Sequence, residues 1–166
     1  MTFLKEVTAL SNGLEYSIHD MPKRVAQEVA HVFPTVDLTG MLVVPTCQRS
    51  DVDLVQMGEV IENEKDRLLE RFAEWAKGVC DRLNAEGHWA DYIDPCSGLP
   101  MVHGGQNVYS EVDGFTSLLG YKTQNAGCCK ILMHPNWGSS VYPASFFTKA
   151  TLEQLDAAIA ATPVPK

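Results

Sequence analysis

The chain lacks the features by which several functional classes are recognised. It has no block rich in Lys and Arg, and its 13 basic and 21 acidic residues give a net charge of −8, which disfavours a role in binding nucleic acid. No apolar run approaches the roughly 20 residues of a membrane span. The first residues form neither an apolar signal core nor an Arg-rich leader. We therefore expect a cytoplasmic protein.

The common motifs for metals and nucleotides are also missing. The chain contains no Cys-x-x-Cys, no His-Glu-x-x-His, no phosphate-binding loop and no Gly-x-Gly-x-x-Gly, which argues against a zinc site or a nucleotide-binding fold. The five cysteines are odd in number and irregularly spaced. This pattern indicates a reducing compartment rather than a disulfide framework.

Hydrophobic periodicity predicts one domain over residues 1–166, with residues 1–13 and 162–166 loosely ordered. Predicted strands cover residues 14–18, 41–44, 51–55, 88–95, 128–134 and 140–147. The second and third are expected to pair as a hairpin, and the last is expected to be edge-like or bulged at its proline. Predicted helices run from Asp20 to near Phe33, over 62–84 and over 151–161, where Thr151 and Gln154 form a capping box. Residues 96–114 are predicted to be a loop, followed by a helical turn. The strands are grouped as hairpins and the helices are few and separated. This arrangement favours an α+β fold with a mainly antiparallel sheet.

The motif Gly127-Cys128-Cys129-Lys130 is the most informative feature of the sequence. Alternation on a strand would place Cys129 on the core face with Ile131 and Met133, and Cys128 on the opposite face with Lys130. A thiol at the mouth of a loop beside a lysine favours the thiolate, which binds metals and attacks electrophiles. The alternative is that both cysteines are simply buried apolar residues.

Other conspicuous residues have plausible structural roles. Trp75 lies beside the apolar stripe of the helix predicted over 62–84 and is expected to pack in the core. Trp89 and Trp137 lie at strand or turn boundaries, where core packing and contact with a partner are comparable expectations. Asp91 and Asp94 would point to opposite faces of a strand, so we expect turn chemistry rather than acid–base catalysis.

Several segments together resemble a known family. Residues 85–99 read AEGHWADYIDPCSGL, and Leu119-Gly120-Tyr121, the Gly-Cys-Cys-Lys motif and Trp137-Gly138 follow in order. This pattern resembles the C-terminal domain of the CblD family of cobalamin trafficking proteins, associated with methylmalonic aciduria and homocystinuria type D. The resemblance spans about residues 14–150, and the family's longer N-terminal portion with its mitochondrial leader is missing.

The resemblance implies a nitroreductase-like fold that has lost flavin and acts as an adapter rather than an enzyme. Such a protein docks on the processing protein CblC, binds cobalamin jointly with it and directs the cofactor to methionine synthase or to mitochondrial methylmalonyl-CoA mutase. It also implies that Cys128 is the thiolate that coordinates the cobalt of cobalamin, as a soft axial ligand. We expect Lys130 to help keep that thiol ionised, and Trp89 or Trp137 to supply contact area.

Three alternatives stay open at this point. The chain could be a flavin reductase or a Cys-dependent enzyme, for which His88, His103 and His134 are candidate bases of unknown distance from Cys128. It could also bind CblC with Cys128 in a structural role only, and it could be a monomer or a homodimer. The chain lacks the Asp-x-His-x-x-Gly motif of cobalamin-dependent enzymes, so tight binding of cobalamin alone is not expected. Cys96 stands where the family leads us to expect a serine.

Overall fold

A central antiparallel sheet organises the fold. The computed structural model describes residues 3–127 and 129–166. The sheet has the order β1-β2-β3-β7-β4, with strands β1 Phe3–Ala9, β2 Leu14–Asp20, β3 Leu42–Arg49, β4 Ala90–Tyr92 and β7 Val141–Thr148. Strands β5 Lys122–Ala126 and β6 Cys129–Met133 form a separate antiparallel hairpin. The prediction of an α+β fold with a mainly antiparallel sheet is confirmed; the nitroreductase-like detail stays a prediction.

Four helices in the described part of the chain cover the sheet: α1 Lys23–Val32, α2 Glu59–Ala85, α3 Glu111–Leu119 and α4 Leu152–Ala161. On one face, Tyr16 of β2 and Phe146 of β7 pack with Trp75 of α2 in a core that also includes α4. On the other face, α1, α3 and the β5–β6 hairpin cover residues such as Val43, Cys47 and Phe147. The same strands contribute side chains to both faces, because successive side chains of a strand point to opposite sides of the sheet. None of these helices combines the length and apolar character needed to cross a membrane.

The helices predicted from local signals are confirmed. The amphipathic stripe predicted over 62–84 is α2, and Trp75 and Cys80 on that stripe are fully buried. Helix α4 begins with the predicted capping box, in which Thr151 accepts the Gln154 N–H and the Gln154 side chain accepts the Thr151 N–H. The prediction of α1 is also confirmed, with Pro22 at its N-cap.

The predicted hairpin of 41–44 with 51–55 is wrong. Strand β3 continues to Arg49 and pairs with β2 and β7, and residues 51–55 form turns. Side chains supply the alternative hydrogen bonds: the Asp53 carboxylate accepts the Val55 N–H at 3.1 Å and the Ser139 hydroxyl at 2.6 Å. Such local bonds compete with strand pairing.

The last strand is not at the edge of the sheet. Strand β7 lies between β3 and β4, but β4 pairs only with residues 146–148. Pro143 therefore lies where β7 has no β4 partner, which makes its missing N–H tolerable. Residues 96–114 are not entirely a loop either, because Ser110 caps helix α3 and the helix begins at Glu111.

Residues 3–9, expected to be loosely ordered, form strand β1. The strand pairs with β2 across two irregularities in register. It is further held where the Phe3 and His19 rings pack 4.5 Å apart and where the Lys5 Nζ lies 3.0 Å from the Asp156 carboxylate of α4. These contacts come from distant parts of the chain, so local periodicity did not reveal the strand.

Candidate functional site

Gly127, Cys129 and Lys130 of the Gly-Cys-Cys-Lys motif lie at the end of the β5–β6 hairpin. Ala126 of β5 pairs with Cys129 of β6, and the chain connects them through Gly127 and Cys128. Gly127 has a φ of +64°, in the left-handed region that glycine adopts without strain. The predicted cobalt ligand, Cys128, lies outside the described residues.

The far end of the hairpin is exposed and its base is buried. At the far end, Asn125, Cys129 and Lys130 are exposed. At the base, Leu132 is 3% exposed in a cluster with Cys47, and His134 is 4% exposed. The hairpin is thus fixed at its base, and both faces of its far end reach solvent. We call residues 125–127, 129 and 130 the hairpin tip.

The predicted faces of β6 are wrong. Cys129, expected in the core with Ile131 and Met133, is exposed, and the buried residues are Leu132 and His134 from the opposite set. A one-residue error in register exchanges the two faces of a strand. The apolar character of Ile131 and Met133 suggested the wrong face because only the base of β6 packs on the rest of the protein.

His134 anchors the hairpin base through both ring nitrogens. Its Nδ1 accepts the N–H groups of Asn136 at 3.1 Å and Trp137 at 3.2 Å. This places the ring proton on Nε2, which donates to the Glu15 carboxylate at 2.5 Å. The Trp137 ring stacks on the imidazole with centroids 3.9 Å apart. Sharing a predicted face with Cys128 therefore does not make His134 its catalytic base.

Glu15 and Cys47 complete a cluster around His134. They are register partners on β2 and β3, and one ligand atom from each of the three side chains lies within 4.8 Å of the others. Burial raises the pKa of Cys47 well above its usual value, and the Glu15 and Glu111 carboxylates add to the rise. The metal-free cluster therefore holds a neutral thiol and no unengaged imidazole nitrogen to activate it.

The two tryptophans singled out from the sequence lie in different environments. Trp137 belongs to the hairpin base through its contacts with His134. Trp89 precedes edge strand β4, where its ring stacks on His103 at 5.1 Å and meets Phe33 edge-on at 4.9 Å. The structure thus brings Trp137, but not Trp89, next to the element that carries the cysteines.

The aspartates have the structural roles expected for them. Asp91 is fully buried, and its carboxylate accepts N–H groups from Met101, Val102 and His103 at 2.8 to 3.1 Å. Asp94 accepts the N–H and the hydroxyl of Ser97 in the following turn. Both carboxylates are occupied in ordering the loop after β4, which is the turn chemistry predicted.

Sequence reasoning did not identify Glu15 or Cys47 as site residues. The one local signal was in β2, where the face opposite Leu14, Tyr16 and Ile18 carries three polar residues, Glu15, Ser17 and His19. Ser17 and His19 are buried. A polar face that is covered rather than solvated needs polar partners. Strand pairing and the hairpin base supply them.

Comparison with known proteins gives a consistent result. The family model described as methylmalonic aciduria and homocystinuria type D protein matches residues 4–158. The cobalamin trafficking protein CblD of Rattus norvegicus is 35% identical over 147 residues, covering 86% of this chain and 49% of the relative. The Homo sapiens protein of the same name is 35% identical over 145 residues, covering 85% and 48%. The chain thus spans about half the length of the curated relatives it matches.

Proposed function

This chain belongs to the methylmalonic aciduria and homocystinuria type D protein family, and we propose that it is a non-enzymatic adapter in cobalamin trafficking. In this proposal it docks on the CblC processing protein and supplies the Cys128 thiolate to cobalt. It then directs the cofactor to methionine synthase. Membership of the family implies the role in cobalamin trafficking; the partner, the ligand and the destination are the proposal.

The observation that carries the proposal is the exposed hairpin tip on a buried base. Cobalt lies at the centre of a broad, flat corrin ring, so an axial protein ligand must approach along the ring normal. A narrow two-stranded hairpin with both faces exposed can make that approach, whereas a thiol on the covered faces of the main sheet cannot. A soft thiolate suits the axial position of the metal.

The charge and the surroundings of the tip support the same role. Lys130 is exposed next to Cys129, and a nearby positive charge favours a thiolate over a thiol. A cavity of about 400 Å³ lies at the base of the hairpin, with Tyr121 and His134 among its lining residues. That cavity is at the opposite end of the hairpin from Cys129, and in this proposal the partner protein holds the corrin ring.

The location of the thiols fits a reducing compartment, and we place the protein in the cytoplasm. Cys47 and Cys80 are buried thiols, and Cys96 is an exposed thiol rather than a disulfide partner. An exposed thiol persists where glutathione and thioredoxin keep cysteines reduced. A metal-binding thiolate at the tip requires the same condition.

The test is the visible spectrum of cobalamin mixed with CblC and with this chain. We expect a new cobalt–thiolate absorption band that disappears with Cys128→Ser and persists with Cys129→Ser, the matched control at the neighbouring thiol. Cobalamin alone should show little binding in isothermal titration. The assignment fails if Cys128→Ser keeps the band. Tight binding of cobalamin without CblC would make the chain a carrier instead of an adapter.

A further inference from the structure

The cluster at the hairpin base combines three side chains that bind transition metals. Glu15, Cys47 and His134 each offer one ligand atom, and these atoms lie within 4.8 Å of one another. We propose that this cluster binds a divalent transition-metal ion of the zinc class. The site is separate from the tip cysteines, and its existence does not depend on the adapter role.

The fold positions these ligands before any metal arrives. Glu15 and Cys47 are direct partners on the neighbouring strands β2 and β3, so their side chains project from the same face. His134 is held over them by the N–H groups of Asn136 and Trp137 and by the Trp137 ring. Ligands supplied by paired strands and a fixed turn lose little conformational freedom on binding.

The donor set selects the class of metal. Thiolate, imidazole and carboxylate together are a zinc combination, whereas Mg²⁺ and Ca²⁺ prefer oxygen ligands alone. Tetrahedral zinc bonds of roughly 2.0–2.3 Å place ligand atoms about 3.3–3.8 Å apart. The Nε2–Oε1 contact at 2.5 Å must therefore open when the ion binds.

Metal binding changes the protonation of the cluster. The Cys47 thiol loses its proton to solvent, and the Nε2 proton of His134 moves to Nδ1, because histidine binds metal ions as neutral imidazole through its unprotonated nitrogen. Nδ1 then becomes a donor, so the N–H groups of Asn136 and Trp137 must turn away from it. One proton leaves for each ion bound, and the doubly positive ion neutralises the charges of the Glu15 carboxylate and the Cys47 thiolate.

The site borders a cavity and leaves one coordination position open. Of the three cluster residues, His134 lines the cavity of about 400 Å³ at the hairpin base. Three protein ligands leave the fourth tetrahedral position for water or for a group from a partner. Because His134 follows β6 directly, a bound ion would join the hairpin base to β2 and β3.

The experiment uses the full chain after chelator treatment, with Cys128→Ser and Cys129→Ser introduced so that the tip thiols do not bind metal. Zinc is titrated against a chromophoric chelator, and Co²⁺ ions serve as a spectroscopic probe. We expect one equivalent of zinc and a thiolate-to-cobalt charge-transfer band. Cys47→Ala should remove the band and weaken zinc binding at least about tenfold. Cys96→Ala, at an exposed thiol outside the cluster, should change neither.

Two results would overturn the proposal. One is the absence of stoichiometric zinc binding or of the charge-transfer band in the parent protein. The other is unchanged zinc affinity in Cys47→Ala. If that variant does not fold, Glu15→Gln decides, because Glu15 is only partly buried. Glu15→Gln should also weaken zinc binding at least about tenfold, and an unchanged affinity would show that the cluster is only a hydrogen-bonded contact.

Discussion

Glu111, at the start of helix α3, carries a carboxyl group whose ionisation the fold opposes. Its Oε2 accepts the Ser145 hydroxyl at 2.7 Å, and its buried Oε1 has no hydrogen-bond partner among the described residues. Burial raises the pKa of Glu111 to about 8, although the bonds from Ser145 act in the opposite direction. This helix packs against the hairpin, so its stability affects the support of the candidate site.

The sign of the effect follows from the two protonation states. Between the ordinary value of 4.5 and about 8, the folded protein keeps a proton that the unfolded chain releases. The free energy of unfolding therefore falls as the pH rises through this window and levels off above it. At pH 7, which is about 2.5 units above the ordinary pKa of 4.5, this effect lowers the free energy of unfolding by at most about 3 kcal/mol.

Replacing Glu111 by Gln should remove this dependence. Urea unfolding of wild type and Glu111→Gln at several pH values from about 5 to 8 gives the difference in free energy of unfolding. We expect this difference to move in favour of the variant as the pH rises, whatever its fixed cost from the buried amide. Asp113→Asn removes an exposed charge from the same helical turn and serves as the control. A difference independent of pH would refute the inference that Glu111 is held protonated.

Two further predictions concern His19 and Cys129. Burial lowers the pKa of the His19 imidazole from 6.5 to about 4, so stability should fall by up to about 3 kcal/mol as the pH drops through that interval. Thermal melts of His19→Gln should show a shallower decline, and equal slopes would contradict this assignment. Cys129→Ser should change stability by less than about 0.5 kcal/mol because the residue is exposed. Cys80→Ser, in the core, should cost about 1–3 kcal/mol; equal losses in thermal melts would contradict the observed exposure.

The elements predicted well are those specified by nearby residues. Helix α2 has an apolar stripe that includes Leu68, Phe72 and Leu83, and this spacing can be recognised without knowledge of the partner surface. The capping box of α4 is equally local, because both of its hydrogen bonds join Thr151 and Gln154. Such signals do not depend on the rest of the fold.

The elements missed are those specified by distant residues. Strand β5 has the sequence Lys-Thr-Gln-Asn-Ala, without apolar alternation, and it forms by pairing with β6. The buried face of β6 depends on which part of the hairpin packs on the domain, which its own apolar residues do not reveal. Glu15 and His134 lie 119 positions apart. Their contact depends on the pairing of the whole sheet.

The two ends of the hairpin explain why different kinds of reasoning found different residues. At the tip, Cys129 and Lys130 are exposed, so packing does not dictate their identity. The chemistry of adjacent thiols beside a lysine, together with a family resemblance, pointed to the motif. At the base, Leu132 and His134 are buried, and only the folded arrangement shows what they contact. The hydrogen bonds and ring stacking of His134 hold the base in place, so the tip can present a thiol to a partner without first ordering the whole hairpin. That preorganisation reduces the entropy lost on binding, and it makes the buried base as relevant to the proposed adapter role as the exposed end of the hairpin.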